Sequence, residues 1–160
     1  MTKRIFTLTV AFIFVCVSAF AMCGVCGSGT KSKKEAQGMF AHVADEAVVK
    51  DGVKEITYDQ FMAIRKSGEK YTLLDVLPAN SYNEGHIDGA VLFPLDTINK
   101  MTAEKRLSKD DHIIVYCGSF KCTASTQAAK KLSGLGYDVL DYKGGLKDWQ
   151  DKGNKLISKF

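Results

Sequence analysis

The feature that most constrains the fold is an apolar strand that ends at a cysteine and is followed by a short loop and a helix. Residues 113–116 form a β-branched, apolar run typical of a buried strand in a parallel sheet, and the run ends at Cys117. From Thr123 onward apolar positions recur at helical spacing. Unpaired amides and the dipole at the start of a helix favour an anion. The pattern therefore predicts that Cys117 is a nucleophilic thiolate with a lowered pKa, and that Cys122, at the rim, is less ionised.

Strand-like and helix-like segments alternate along the rest of the chain. Further strands are predicted at residues 54–56, 71–76, 90–93 and 137–142. Helices are predicted after the capping-box spacing of Thr57 and Gln60, around residues 96–98, and after Gly144-Gly145. This alternation predicts an α/β domain with a parallel sheet of about five strands and helices on both faces. Ligands of such sheets bind beyond the carboxyl ends of the strands, where Asp75 and Cys117 are both expected.

Several short motifs occur in a fixed order around this cysteine. They are Leu74-Asp75-Val76, the run Glu-Gly-His-Ile-Asp-Gly-Ala at residues 84–90, Gly136-Tyr137, Gly144-Gly145 and Trp149. Over about residues 54–155 this set resembles the rhodanese-like domain family. The resemblance implies a single domain, taken as residues 54–160, in which Cys117 carries sulfur as a persulfide. Many active members have arginines where this chain has Gly118 and Cys122.

The other site residues are assigned from the chemistry of the loop and, for Asp75 and His86, from the resemblance. Residues 118–123 would bind the donor anion through their amides: Gly118, Ser119, Phe120, Lys121, Cys122 and Thr123. Lys121, the cation within the loop, either orients the donor or points to solvent. Cys122 is either a resolving thiol that forms a disulfide with Cys117, or an acceptor or inert thiol. Asp75 and His86 are expected to support the loop and not to act as acid or base.

Other classes of function fit the sequence less well. Cysteine phosphatases share the strand-cysteine-loop-helix pattern but close the loop with an arginine, and Thr123 occupies that place. The three histidines lack metal-ligand spacing, so no metal and no cofactor is expected. The net charge of +4 comes without a basic run interleaved with aromatic residues, which argues against nucleic acid as a partner.

The N-terminus has the pattern of a secretory signal. Residues 5–22 are apolar, follow Lys3 and Arg4, and contain Ala19-Phe20-Ala21, so cleavage is expected after Ala21 and the protein is expected in the bacterial periplasm. The alternatives are an uncleaved membrane anchor and lipidation at Cys23. Residues 22–53 are then interpreted as a flexible leader and an N-terminal extension with a short helix within 37–50.

Cys23 and Cys26 in the leader have C-x-x-C spacing without the strand and helix of a redox motif. Four interpretations stay open: a local disulfide, a mobile dithiol that accepts sulfur from Cys117, a metal or assembly contact, or no role. We expect a monomer that contacts the membrane only if the signal segment is retained.

Taken together, the sequence suggests an exported sulfurtransferase or persulfide carrier. It would move sulfane sulfur from an anionic donor such as thiosulfate to a thiol or cyanide through Cys117, so its partners are a small-molecule donor and a small or protein thiol. Two alternatives come from other classes: an anion- or sulfur-binding sensor module without turnover, and a thiol-disulfide redox protein that uses Cys117 and Cys122.

Overall fold

The computed structural model describes residues 38–158, which form one mostly parallel sheet with helices packed on both faces. The strands are β1 (Val48–Lys50), β2 (Val53–Ile56), β3 (Thr72–Asp75), β4 (Val91–Leu92), β5 (His112–Tyr116) and β6 (Asp138–Tyr142). The helices are α1 (Met39–Glu46), α2 (Tyr58–Ser67), α3 (Ala79–Glu84), α4 (Lys100–Arg106), α5 (Ala124–Gly134) and α6 (Gly145–Asp151). The strand order is β1-β2-β6-β5-β3-β4. The predicted α/β class is confirmed, with six strands where about five were expected.

The additional strand comes from a segment that the sequence analysis leaves outside the domain. The predicted helix within residues 37–50 ends at Glu46, and the chain continues as β1, which pairs antiparallel with β2. Asp51 and Gly52 have φ values of 51° and 77°, as a two-residue hairpin turn requires. Because α1 also buries Phe40 completely, residues 38–53 belong to the packed fold, and Lys54 is not its start.

Two other helices begin where side chains cap them. The Thr57 hydroxyl accepts from the Gln60 amide at 3.3 Å and the Gln60 side chain accepts from the Thr57 amide at 2.9 Å, which confirms the predicted capping box. The helix expected around residues 96–98 is instead a 3-10 turn, Leu95–Thr97. The α-helix that follows starts at Lys100 because Asn99 and Thr102 form the reciprocal cap.

The register of the parallel strands decides which side chains share a face of the sheet. Asp75 pairs with Tyr116, and Tyr116 with Tyr142, so these three lie on one face, which we call the tyrosine face. Leu74 pairs with Val115, and Val115 with Asp141, on the opposite face. Since Cys117 follows Tyr116, its side chain belongs to this second face, the thiol face.

Each face has its own apolar core. The tyrosine face packs against α1, α2, α3 and α6 through Phe40, Phe61, Tyr82 and Trp149. The thiol face packs against α4 and α5 through Ala103, Ala128, Ala129 and Leu132, and Cys117 belongs to this cluster. Among residues 38–158 no helix has the length and apolar character needed to span a bilayer.

The glycine that begins α6 fixes the loop that follows β5. The first amides of α6 donate to the loop backbone, from Leu146 to the Cys117 carbonyl and from Lys147 to the Gly118 carbonyl, each at 2.9 Å. A Cβ at Gly145 would collide with the Cys117 carbonyl, and Gly145 has a φ of 61°. Gly145 is therefore required for this close approach, which anchors the loop to α6.

Candidate active site at the carboxyl end of β5

Cys117 lies at the bottom of the site with no exposed surface. Its sulfur and Ser125 Oγ are hydrogen-bonded at 3.3 Å, and the Ser125 amide also hydrogen-bonds the Cys117 sulfur. Ser125 is itself fully buried in the first turn of α5. The strand-to-loop position predicted for Cys117 is therefore observed, and the contact of its sulfur with α5 is made through Ser125.

Cys122 is brought back over Cys117 by a turn of the loop. Its amide donates to the Ser119 carbonyl at 2.9 Å, and its side chain, which is half-buried, packs against the thiol-face cluster that contains Cys117. The two thiols hydrogen-bond each other, and both are free cysteines. The amides of Gly118 and Ala124 hydrogen-bond the Cys122 sulfur.

These surroundings reverse the predicted order of acidity. Burial raises the pKa of Cys117, and the hydrogen bond with Cys122 raises it further, against the lowering contacts of Ser125. Burial also raises the pKa of Cys122, but the hydrogen bond from Cys117, the two loop amides and the Lys143 charge together bring it below the usual value. The expectation that Cys117 is the more acidic thiol is therefore wrong. The amides of Gly118 and Ala124 hydrogen-bond Cys122, and that of Ser125 hydrogen-bonds Cys117.

Lys143 is a site residue that the sequence analysis missed. It follows β6, and its Nζ donates to the Cys122 carbonyl at 2.7 Å and to Thr126 Oγ1 at 2.8 Å. Thr126 Oγ1 in turn donates to Asp141 Oδ2 at 2.9 Å. A signal was available in the sequence, because Lys143 lies just after a strand on the same edge of the sheet as Cys117.

Asp141 is the second residue that the sequence analysis missed. It is fully buried on the thiol face, where burial raises the pKa of its carboxyl against the lowering effects of Ser125, Thr126 and Lys143. A hydrogen-bonded chain therefore runs beneath the loop from the Cys122 carbonyl through Lys143 and Thr126 to Asp141. Strand parity could have identified it, since Asp141 pairs with Val115, two residues before Cys117.

Asp75 lies on the tyrosine face, with its side chain on the opposite side of the sheet from Cys117. Its Oδ1 accepts from the Leu77 amide at 2.9 Å. Burial raises the pKa of this carboxyl, and the contacts with Leu77, Tyr116 and His86 lower it. The Tyr116 hydroxyl also accepts from the Ile87 amide at 3.1 Å, which ties the loop after α3 to β5. The predicted support of the active loop by Asp75 stays a prediction; the route these contacts offer passes through Tyr116.

His86 links the loop after α3 to Tyr82 of α3 and to the C-terminal segment at Ile157. Its Nδ1 lies 2.9 Å from the Tyr82 carbonyl, and its ring stacks on Tyr82 at a centroid distance of 3.8 Å. Its backbone exchanges two hydrogen bonds with Ile157, at 2.9 and 2.8 Å. This position suits an anchoring role, and a role in the active loop itself remains a prediction.

The outer part of the loop faces solvent. Phe120 is 63% exposed, and it lies with Lys143 in the lining of two surface hollows of about 340 and 330 Å³. Lys121 is exposed, and Thr123 accepts a hydrogen bond from Gln127 Nε2 at 3.1 Å at the start of α5. Within residues 38–158 no group of histidine, cysteine and acidic side chains is arranged to hold a metal ion.

The site defines an α/β protein with a cysteine in the loop between the carboxyl end of a parallel strand and a helix. Comparison with known proteins identifies the family. The model of the Rhodanese-like domain matches residues 57–152. The chain belongs to the rhodanese-like domain family, which is a sulfur-transfer family.

Similar proteins include members with different overall lengths. The chain is 32% identical over 114 residues to the HTH-type transcriptional regulator Rv0324 of Mycobacterium tuberculosis, which covers 68% of this chain and 49% of the regulator. It is 35% identical over 75 residues to the thiosulfate sulfurtransferase PspE of Escherichia coli, which covers 47% of this chain and 70% of that protein. This chain thus spans about half the length of the regulator and 70% of the length of the thiosulfate sulfurtransferase.

Solved structures show the same fold. The BH2092 protein from Bacillus halodurans aligns with a TM-score of 0.59 and 35% identity, over 65% of this chain and 76% of that chain. The Alr3790 protein from Anabaena sp. aligns with a TM-score of 0.58 and 30% identity, over 64% of this chain and 91% of that chain.

Proposed function

We propose that this protein is a sulfurtransferase or persulfide carrier that takes sulfane sulfur onto Cys117 from an anionic donor such as thiosulfate. The proposal is carried by one observation: within a rhodanese-like domain, Cys117 lies under a loop at the carboxyl end of β5, with its sulfur hydrogen-bonded to Ser125 at the start of α5 and with the second thiol, Cys122, packed against the same cluster. Cys117 attacks as its thiolate, and the proton that it loses ends on the persulfide.

The reaction has two covalent steps. Cys117 attacks the outer sulfur of thiosulfate, the sulfur–sulfur bond of the donor breaks, and sulfite leaves with the bonding electron pair. The thiol proton remains with the persulfide, so that one thiol and thiosulfate give one persulfide and sulfite. A thiol or cyanide then attacks the outer sulfur of the persulfide and returns Cys117 to its starting state.

The charges near the loop suit an anionic donor. Lys143 is held by two hydrogen bonds beside Cys122, and Lys121 lies exposed on the same loop. Both are point charges that lack the planar fork of an arginine, so we expect weak orientation of the donor and a high KM for thiosulfate.

Mass spectrometry of the thiosulfate-treated protein tests this proposal. We expect the peptide that contains Cys117 in Cys122→Ser to gain about 32 Da, the mass of one sulfur atom. Cys117→Ser should gain nothing and should lose sulfur transfer to cyanide, because an alcohol is neither ionised nor comparably nucleophilic at this site. Circular dichroism of Cys117→Ser should match the parent and serves as the folding control.

Near-parental turnover by Cys117→Ser would contradict the assignment of the nucleophile. If thiosulfate binds with no mass gain on any cysteine, the protein is an anion-binding module, the alternative from another class. For the sulfurtransferase, the proposed acceptor is cyanide or a thiol of small or protein origin.

We also propose that the protein acts after export to the periplasm. The support is the apolar run at residues 5–22 with its small residues before Ala21, a segment that lies outside the described residues. N-terminal sequencing of protein purified from its native cells should begin at Met22, whereas an uncleaved Met1 in a membrane fraction would favour the anchor.

A further inference from the structure

We propose that Cys117 and Cys122 form a resolving pair that converts the Cys117 persulfide into an intramolecular disulfide and releases hydrosulfide. This inference rests on the proposed function, because the persulfide is the species that the pair consumes. It adds a second activity, sulfide release coupled to dithiol oxidation, to sulfur transfer.

The loop geometry places the two sulfurs together. The turn closed by the 2.9 Å hydrogen bond from the Cys122 amide to the Ser119 carbonyl folds the Cys122 side chain inward, where the two thiols hydrogen-bond. A loop curled around a single sulfur would instead splay this side chain outward. Because the Cys122 side chain packs against the cluster that contains Cys117, a bond of about 2.05 Å requires a local closure within the loop and no rearrangement of the sheet.

The two sulfurs are held in different ways, and the difference assigns their roles. Cys117 is fully buried, with its sulfur held by Ser125, so the inner sulfur of a persulfide has a fixed position. Cys122 is half-buried and receives the amides of Gly118 and Ala124. A sulfur that accepts two amide hydrogen bonds beside a lysine is suited to be a thiolate, and the thiolate is the attacking species in disulfide exchange.

The step balances without an added oxidant. The Cys122 thiolate attacks the inner sulfur of the Cys117 persulfide, a Cys117–Cys122 sulfur–sulfur bond forms, and the bond to the outer sulfur breaks. The outer sulfur leaves as hydrosulfide with the electron pair and the persulfide proton. The sulfane sulfur is thereby reduced, the two cysteines are oxidised, and a thiol reductant must reopen the disulfide before the next cycle.

The sequence between the two cysteines makes this disulfide easy to detect. Trypsin cleaves after Lys121 and separates Cys117, in the peptide of residues 110–121, from Cys122, in the peptide of residues 122–130. Full-length protein, reduced and kept free of oxygen, is mixed with thiosulfate, quenched with an alkylating reagent and digested. We expect the two peptides to be cross-linked and about one hydrosulfide to be released per protein.

Cys122→Ser is the matched variant, since it keeps the size of the side chain and removes the attacking sulfur. It should hold the additional sulfur on the Cys117 peptide and release at least about tenfold less hydrosulfide in the first turnover. The double variant Cys23→Ser/Cys26→Ser should behave like the parent, which separates the proposed pair from the leader cysteines.

Three results are decisive. A parent protein that keeps the additional sulfur on Cys117, with no cross-linked peptides, overturns the resolving pair and leaves the proposed sulfurtransferase standing. Cross-linking of equal extent without thiosulfate also overturns it, because the persulfide would then not be the oxidant. If Cys122→Ser gains no sulfur and the parent releases no hydrosulfide, the proposed function itself fails.

Discussion

Asp75 and Asp141 are both fully buried aspartates near the carboxyl edge of the same sheet, yet they lie on opposite faces and have different neighbours. Asp75 contacts Leu77, Tyr116 and His86, which hold loops and the C-terminal segment in place. Asp141 contacts Ser125, Thr126 and Lys143, which lead to the two thiols. A residue lies at this edge of the sheet because its strand ends there. The face on which its side chain lies depends on whether its position along the strand is odd or even relative to its neighbours.

This difference divides the region into a supporting face and a reacting face. On the tyrosine face the route from Asp75 to Cys117 passes through Tyr116, the preceding residue in the chain. On the thiol face Ser125 contacts the Cys117 sulfur directly and Lys143 contacts the backbone of Cys122. If the division holds, substitutions on the first face should mainly affect stability, and those on the second should mainly affect sulfur chemistry.

The largest expected contrast is between Tyr116→Phe and Ser125→Ala. Tyr116→Phe removes the acceptor of the Ile87 amide in the core, and leaving such a buried group unpaired costs about 1–3 kcal/mol of unfolding free energy. Persulfide formation in this variant should stay within about twofold of the parent, since no contact to either sulfur is lost. Urea unfolding and rapid-quench mass spectrometry measure the two quantities.

Ser125→Ala should show the opposite pattern. It removes the hydroxyl that lowers the pKa of Cys117, so persulfide formation should slow several-fold at neutral pH. The loss of stability should be about 1 kcal/mol, the usual net value of one hydrogen bond. If Tyr116→Phe slows persulfide formation as much as Ser125→Ala does, the division between the two faces is wrong.

A smaller contrast is expected between the two lysines of the site. Lys143→Met removes a charge that lowers the pKa of Cys122, so alkylation of Cys122 at about pH 6.5 should slow several-fold. Lys121→Met removes an exposed charge, and we expect the same rate to change by less than about twofold. Alkylation is followed in Cys117→Ser, so that one site thiol reacts. Equal slowing by both substitutions would show that general loop charge, and not the placement of Lys143, controls this thiol.

The sequence predicts the fold and the position of Cys117 at the end of β5 well, because both depend on local patterns. The residue types at 113–116 predict a strand, and those of Thr57 and Gln60 predict a helix cap. The strand β1 was missed because a three-residue edge strand has no length over which a period of two can show, although Asp51-Gly52 is a hairpin signal.

The roles within the site were harder to predict, since they depend on contacts between distant segments. Lys143 and Asp141 reach the loop from the end of β6. The lowered pKa of Cys122 depends on the loop turn that directs the amides of Gly118 and Ala124 toward its sulfur. The family resemblance implies a loop-supporting role for Asp75, and only the register of β3, β5 and β6 shows that its side chain is on the other face from Cys117.

The smallest expected effect is a difference in how stability depends on pH. Burial raises the pKa of both Asp75 and Asp141, so between the unfolded value of about 3.9 and the raised value the folded protein binds more protons than the unfolded chain. The free energy of unfolding contributed by these groups therefore falls as pH rises through that window. At about pH 3 both states are protonated and the penalty is absent.

Replacing either aspartate by asparagine should flatten this decline, since an amide does not ionise. Asp75→Asn should flatten it more, because the ionised Asp141 has the Lys143 charge beside it, whereas the main groups that favour the ionised Asp75 are the neutral Leu77 amide and Tyr116 hydroxyl. Urea unfolding at a series of pH values from about 4 to 8 measures the slopes, and the difference should be on the order of 1 kcal/mol at the upper end. Identical slopes for parent and both variants would show that neither carboxyl is penalised by its burial. A larger flattening for Asp141→Asn would mean that the Lys143 charge stabilises the Cys122 thiolate more than the Asp141 carboxylate. The carboxyl and the thiol would then titrate as a coupled pair.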